Sequence, residues 1–91
     1  MASLTWELTL PGCSSLKEKR SVIRSLRDRL RAKFNVSVAE TAYQDVHTRA
    51  QLSIALVATD ARFADSVLEK ADNLVGLNGR AIVTGTRREL Y

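Results

Sequence analysis

Six cations recur near the start of the chain at spacings that suit phosphate binding: Lys17, Lys19, Arg20, Arg24, Arg27 and Arg31. Arg20, Arg24, Arg27 and Arg31 follow an i, i+4, i+7, i+11 rhythm, so on an α-helix they form one stripe with Lys17 at its edge. Guanidinium groups along a rigid rod are what neutralising a polyanion such as RNA requires. Ser15 and its neighbours add free backbone N–H groups at the start of the same helix, where the positive end of the helix dipole attracts a phosphate. Lys17, Lys19 and Arg20 in the first turn oppose that dipole by about 0.3–1 kcal/mol each, a cost that a bound anion would offset. Lys19 falls close to the apolar side of the helical wheel, where it can hang past the sheet instead of facing solvent. A solvated basic face, with lysine stems covering the edge of the core, accounts for the same pattern.

The charge is local. Residues 17–33 hold 8 of the 14 Lys and Arg residues and two acids, Glu18 and Asp28, so this segment carries +6 and the remainder −2. Cys13, Asp45 and His47 supply a nucleophile, a carboxylate and a base, but three residues of suitable type are common in any chain, and no catalytic residue is assigned. The spacing G-x-x-x-x-G-K-[ST] of a phosphate-binding loop is absent, as is a dinucleotide-binding glycine fingerprint. One His, one Cys and scattered carboxylates predict neither a metal site nor a cofactor. Around the 42–48 turn, an Asp45 to Arg49 pair would fix the hairpin, and Gln44, His47, Arg49 and Arg80 are additional contacts for an anionic ligand.

At 91 residues, with 45% hydrophobic and 26% charged residues, the chain suits one soluble domain spanning residues 1–91. No apolar run reaches the roughly 18 residues of a membrane span, so no membrane partner is expected. An N-terminus that alternates polar with apolar residues does not read as an export signal. A single cysteine, Cys13, fits a reducing cytoplasm, and a pI near 9.7 favours an anionic partner.

The elements that must position these groups follow from periodicity. Leu4, Trp6, Leu8 and Leu10 alternate with polar residues as a half-buried strand, which Pro11-Gly12 stops. Ser15 with Glu18 makes a capping box, the glutamate reaching back to the N–H of the cap residue. Leu16, Ile23, Leu26, Leu30 and Phe34 then give the apolar stripe of a helix that Asn35 ends in a left-handed conformation. Strands at 36–41 and 49–59 form an antiparallel hairpin. Asp60 caps a second helix over 61–77, with Phe63, Val67, Leu68, Ala71, Leu74 and Val75 on its buried side, and a last strand covers 80–88. The order β-α-β-β-α-β with right-handed crossovers predicts an α+β class, the ferredoxin-like split βαβ sandwich. Two helices would cover one face of a four-stranded antiparallel sheet of order 4-1-3-2, with segments 11–15, 43–48 and 77–80 gathered at one end. The other face is small and mostly polar, without the strand aromatics on which an RNA-recognition motif stacks bases.

The run from Leu10 to Glu40 carries a more specific likeness. Pro11-Gly12, Ser15-Leu16-Lys17, Lys19-Arg20, Ser25-Leu26, Phe34-Asn35 and Ala39-Glu40, followed by Gln44-Asp45 and Arg49-Ala50, resemble the YlxP-like family of small bacterial proteins of unassigned function. The resemblance covers nearly the full chain. It implies a ferredoxin-like fold and, through genes that often neighbour those of translation initiation factor two and a ribosome-binding factor, work on RNA or the ribosome. Cys13-Ser14 and His47 depart from the family pattern, which more often has a small residue then histidine at the first place and tryptophan at the second. Neither departure favours chemistry at Cys13 or His47.

Residues and resemblance together predict a cytoplasmic, non-enzymatic RNA- or ribosome-binding module that uses its first helix. The alternative is a protein-interaction or small-effector module that forms a homodimer through its sheet.

Overall fold

Alternation along the first strand sets the sheet. In a computed structural model describing residues 1–90, Ala2, Leu4, Trp6, Leu8 and Leu10 are buried, while Ser3, Thr5, Glu7 and Thr9 reach the opposite face. The elements are β1 (Ala2–Thr9), α1 (Leu16–Lys33), β2 (Ser37–Ala42), β3 (Arg49–Leu56), α2 (Ala61–Gly76) and β4 (Ile82–Leu90). The strands form one antiparallel sheet in the order β2-β3-β1-β4, with Trp6 opposite Leu52 on one side and Thr86 on the other. Helix α1 lies over β2, and α2 over β1 and β4. This is the ferredoxin-like split βαβ sandwich.

The core fills the space between sheet and helices. Trp6 is its largest residue, packed in one cluster with Leu4, Leu8, Leu26, Leu30, Leu52, Ile54, Leu68 and Val75. A fully buried indole needs a partner for its N–H. Trp6 Nε1 finds it in Asp72 Oδ1 of α2, at 2.8 Å, which ties the central strand to the helix above it.

Local chemistry explains the turns. Leu10 to Cys13 form a tight turn closed by Cys13 N–H to the Leu10 carbonyl at 3.3 Å, with Gly12 at φ +84°, the left-handed conformation required after proline in a type II turn. Asp60 Oδ1 accepts from Arg62 N–H at 2.9 Å and starts α2. Two bulges re-aim the sheet: Thr41 is extra between Glu40 and Ala42, and Thr84 is extra on β4 opposite the Glu7/Leu8 step.

Several expectations are corrected. Asn35 does not adopt the left-handed conformation. The helix passes straight into extended backbone at Phe34, and a three-residue turn around Asn35 closes with Val36 N–H on the Phe34 carbonyl at 3.0 Å. Phe63 is 59% exposed. The buried stripe of α2 runs through Ala64, Leu68, Ala71 and Val75, and Phe63 lies about 100° away from Ala64 on the wheel. The third strand stops at Leu56, before 57–59, and the last runs from Ile82 to Leu90 instead of 80–88, because Asn78 Oδ1 accepts Arg80 N–H in a turn that precedes it.

Replacing Asp72 by Ala leaves the Trp6 N–H buried and unpaired, and should cost about 1–3 kcal/mol. Asp72→Asn keeps an oxygen acceptor and should recover most of that loss, both read from urea denaturation midpoints.

Candidate functional site

The start of α1 is shaped by four side chains. Ser15 caps the helix, its Oγ accepting Glu18 N–H at 3.2 Å. Glu18 turns back past the cap residue: one carboxylate oxygen accepts both the Ser14 N–H at 2.9 Å and the Ser14 hydroxyl at 3.0 Å. The box is therefore closed one residue earlier than the S-x-x-E pattern predicts. The Arg80 guanidinium stands 3.8 Å from the other Glu18 oxygen. The Ser14 N–H and then its hydroxyl hold the Glu18 carboxyl below its ordinary pKa; burial opposes them, and Arg80 adds the weakest lowering. An anion thus already sits at this helix end, supplied by the chain, and the Ser14 N–H and Arg80 are engaged with it.

The stripe divides by environment. Lys17, Arg20 and Arg24 are exposed, and no ion pair joins them to any acid among the described residues. Arg27 is half-buried, its Nε–H shielded from solvent and without a hydrogen-bond partner. Arg31 donates from Nη2 to the Val38 carbonyl at 3.2 Å, so the lower end of the stripe is fastened to β2, an outer strand of the sheet.

Lys19 leaves the set, which corrects its assignment as a phosphate contact. Its side chain is 1% exposed, on the same wheel face as Ile23, Leu26 and Leu30. The ammonium donates to the Tyr43 carbonyl and stands 2.8 Å from Glu40 Oε2. That oxygen has no well-aligned hydrogen bond, so the Lys19–Glu40 contact is coulombic more than directional. Removing a lysine ammonium from water costs several kcal/mol unless such partners are in place.

Tyr43 is the pivot of the loop that Lys19 holds. It has φ +62°, the left-handed region that a bulky L-residue rarely enters. Its carbonyl also accepts Val46 N–H at 3.0 Å, closing the turn. Its ring lies 4.5 Å from the Arg49 guanidinium carbon, and Arg49 Nη2 is 3.9 Å from Glu7 Oε2. The expected Asp45–Arg49 pair is therefore replaced by Arg49 stacked on Tyr43 and facing Glu7. Gln44 Nε2 donates to the Glu40 carbonyl at 3.2 Å, which makes it a brace of the hairpin.

Segments 11–15 and 43–48 meet as expected. Leu10 N–H donates to the Thr48 carbonyl at 2.8 Å, and His47 Nδ1 lies 2.9 Å from the Cys13 carbonyl oxygen. The imidazole thus engages the backbone of Cys13. On the open sheet face, Thr5 and Ser53 hydroxyls are 2.9 Å apart, Ser53 and Thr41 3.0 Å, and Thr41 reaches Gln51 Oε1 at 2.8 Å. This ladder crosses β1, β3 and β2.

Sequence reasoning placed Lys19 near the apolar side and Glu40 inside a strand without joining them. The signal for the pair was a cation on the buried face facing the one acid of the neighbouring strand. Tyr43 carried no signal, since its part is played by a carbonyl and a backbone angle.

A ferredoxin-like sandwich with a basic first helix and a braced hairpin is the class of protein that these features define. The chain belongs to the family described as Protein of unknown function (DUF503), whose model matches residues 1–88. It is 36% identical over 64 residues to a Bacillus subtilis (strain 168) protein described as Uncharacterized protein YlxP, covering 70% of each chain. Among solved structures it is similar to the structured domain of Drosophila melanogaster Boca, with a TM-score of 0.62 at 11% identity over 100% of this chain and 99% of that one. That likeness is one of fold. No helix among the described residues is long and apolar enough to cross a membrane.

Lys19→Ala leaves Glu40 without its cation and the Tyr43 carbonyl with Val46 N–H alone, and should destabilise by about 3 kcal/mol, while a double-mutant cycle of Lys19→Met with Glu40→Gln should show a coupling above about 1 kcal/mol. Glu18 titrates lower folded than unfolded, so its contribution is present above its unfolded value of 4.5 and is lost as pH falls through the lower folded value. Carboxyl-detected NMR titration should find the Glu18 midpoint below 4.5, and Ser14→Ala should raise it.

Proposed function

We propose that this protein is a non-enzymatic RNA- or ribosome-binding module of the bacterial cytoplasm, acting in translation or ribosome maturation through the outer face of α1. The observation that carries this reading is the row Lys17, Arg20 and Arg24: three exposed cations on one side of a rigid helix with no acid paired to them among the described residues. Chains commonly neutralise such a row with their own carboxylates, as Glu18 neutralises Arg80 and Glu7 faces Arg49. Leaving it open keeps charge available for a polyanion.

The rest of the surface supports a limited kind of recognition. From Lys17 to Arg24 the helix rises about 10 Å, enough to follow two or three successive phosphates. Lys19 holds the Tyr43 loop beside the first turn of α1, and the same loop carries an exposed His47 whose Nε2 has no partner among the described residues. A phosphate-tracking helix with one loop nearby gives affinity first and sequence preference second. Ser15, Arg31, Gln44, Arg49 and Arg80 serve as supports in this reading, since each is engaged within the chain.

Co-sedimentation with ribosomes and separated subunits across a salt series is the direct test. About three phosphate contacts predict a log–log salt slope near −2 for a single-stranded target. Arg20→Glu with Arg24→Glu should abolish retention with an unchanged far-UV circular dichroism spectrum, both residues being exposed and unpaired. Retention that ignores salt or survives the double substitution sinks the reading, as does absence of retention at low salt.

A further inference from the structure

The opposite flank of α1 is also basic, and its surroundings are different. Arg29 and Lys33 lie more than a third of a turn around the wheel from Arg24, on the side towards α2. They line a groove of about 620 Å³ together with Lys70 of α2, and its larger apolar lining residues are Phe34, Leu74 and Leu77. Phe34 and Leu74 lean on the core, whereas Leu77, the residue that ends α2, is 86% exposed. No acidic residue lines the groove, and no ion pair joins Arg29, Lys33 or Lys70 to an acid among the described residues.

An occupant must answer both halves of this surface. A nucleic-acid backbone would meet the cations and leave the leucines and Phe34 facing phosphates, and the half-buried Phe34 offers no free ring for stacking a base. An apolar peptide would cover the lining and leave three cations at its edge unanswered. A segment with carboxylates on one side and leucine-like side chains on the other satisfies both at once. The trough between two helices is moreover the shape that receives a third.

We propose that this groove docks an acidic amphipathic helix of a partner protein, its carboxylates pairing with Arg29, Lys33 and Lys70 and its apolar side chains covering Phe34, Leu74 and Leu77. The protein then has two separate faces: one flank of α1 for a polyanion, the other, with α2, for a protein. The second stands independently of the first.

Fluorescence anisotropy with dye-labelled synthetic peptides of roughly 14 residues, four helical turns, tests this on the intact chain. One peptide carries Leu at i, i+3, i+4 and i+7 with Glu elsewhere, one has Lys in place of Glu, and one is a scramble of the acidic composition. The acidic amphipathic peptide should bind, with the other two weaker by about tenfold or more. Lys33→Glu with Lys70→Glu, and separately Leu77→Ser, should each weaken it about tenfold, while Arg20→Glu with Arg24→Glu changes it by less than about twofold. All these positions are exposed, and circular dichroism confirms that the variants fold.

Absence of binding overturns the proposal. So does a scramble that binds equally, or a Leu77→Ser variant that binds normally while the lysine variant fails, since either outcome reduces the groove to charge attraction. Loss of ribosome retention in the groove variants would assign it to the polyanion surface, and their loss of binding to phosphatidylglycerol vesicles would assign it to an anionic lipid.

Discussion

A lysine ammonium placed at the centre of an apolar helix face must be satisfied, and the satisfaction of Lys19 organises one end of the molecule. With the side chain sealed between α1 and the sheet, desolvation outweighs anything the lysine stem gains by burial unless oxygen atoms meet the charge. Glu40 supplies a carboxylate and Tyr43 a carbonyl, and each comes from a place where the chain departs from regularity. Glu40 precedes the bulge at Thr41, and Tyr43 sits in the left-handed region. The bulge and the turn are the distortions by which the β2–β3 hairpin brings two oxygens to one buried cation. Arg49 stacked over Tyr43 and facing Glu7 extends the same arrangement to β1.

This interaction also sorts the basic residues of α1 into roles. One helix carries a cation on its buried face, a cation bonded to an outer strand, an exposed unpaired row on one flank, and a second unpaired set on the other. Net charge treats these as equivalent. Their energetics differ, because Lys19 and Arg31 are committed to the fold, whereas Lys17, Arg20 and Arg24 on one side and Arg29 and Lys33 on the other have no acid paired to them among the described residues. The acidic helix cap leads to the same distinction: Glu18 occupies the end of α1 that a phosphate would seek, so the cations available for binding lie along the helix.

The sheet ties the fold together on both of its faces. Its core face is closed by Trp6 and the tie from its indole to Asp72, and its open face links hydroxyls across three strands. The likeness to Boca at 11% identity shows that the same sandwich is built by very different residues, so function must be argued from the helix surface.

Periodicity alone determined most of the architecture. A two-residue alternation in β1 and β3 and seven-residue recurrence in both helices are properties of neighbours along the chain, and burial follows them wherever one face meets a core. The stop at Pro11-Gly12, the caps at Ser15 and Asp60, the strand order and the gathering of segments 11–15 and 43–48 were all legible for that reason. The misplacements of Phe63 and Asn35 have different causes: Phe63 stands about 100° off the stripe through Ala64, Leu68, Ala71 and Val75, a matter of helix phase, whereas the turn at Asn35 leads the helix directly into the next strand, which is a property of two elements. The same limit governed the site. That the stripe exists was written in the spacing of its arginines, but which cations are free was decided by what each meets across the fold. Lys19 meets Glu40 and Tyr43, Arg49 meets Tyr43 and Glu7, and Arg80 meets Glu18, pairings of residues distant in sequence. A charge is given by residue type, whereas its availability is set by its neighbours in space, and only the tertiary structure brings those together.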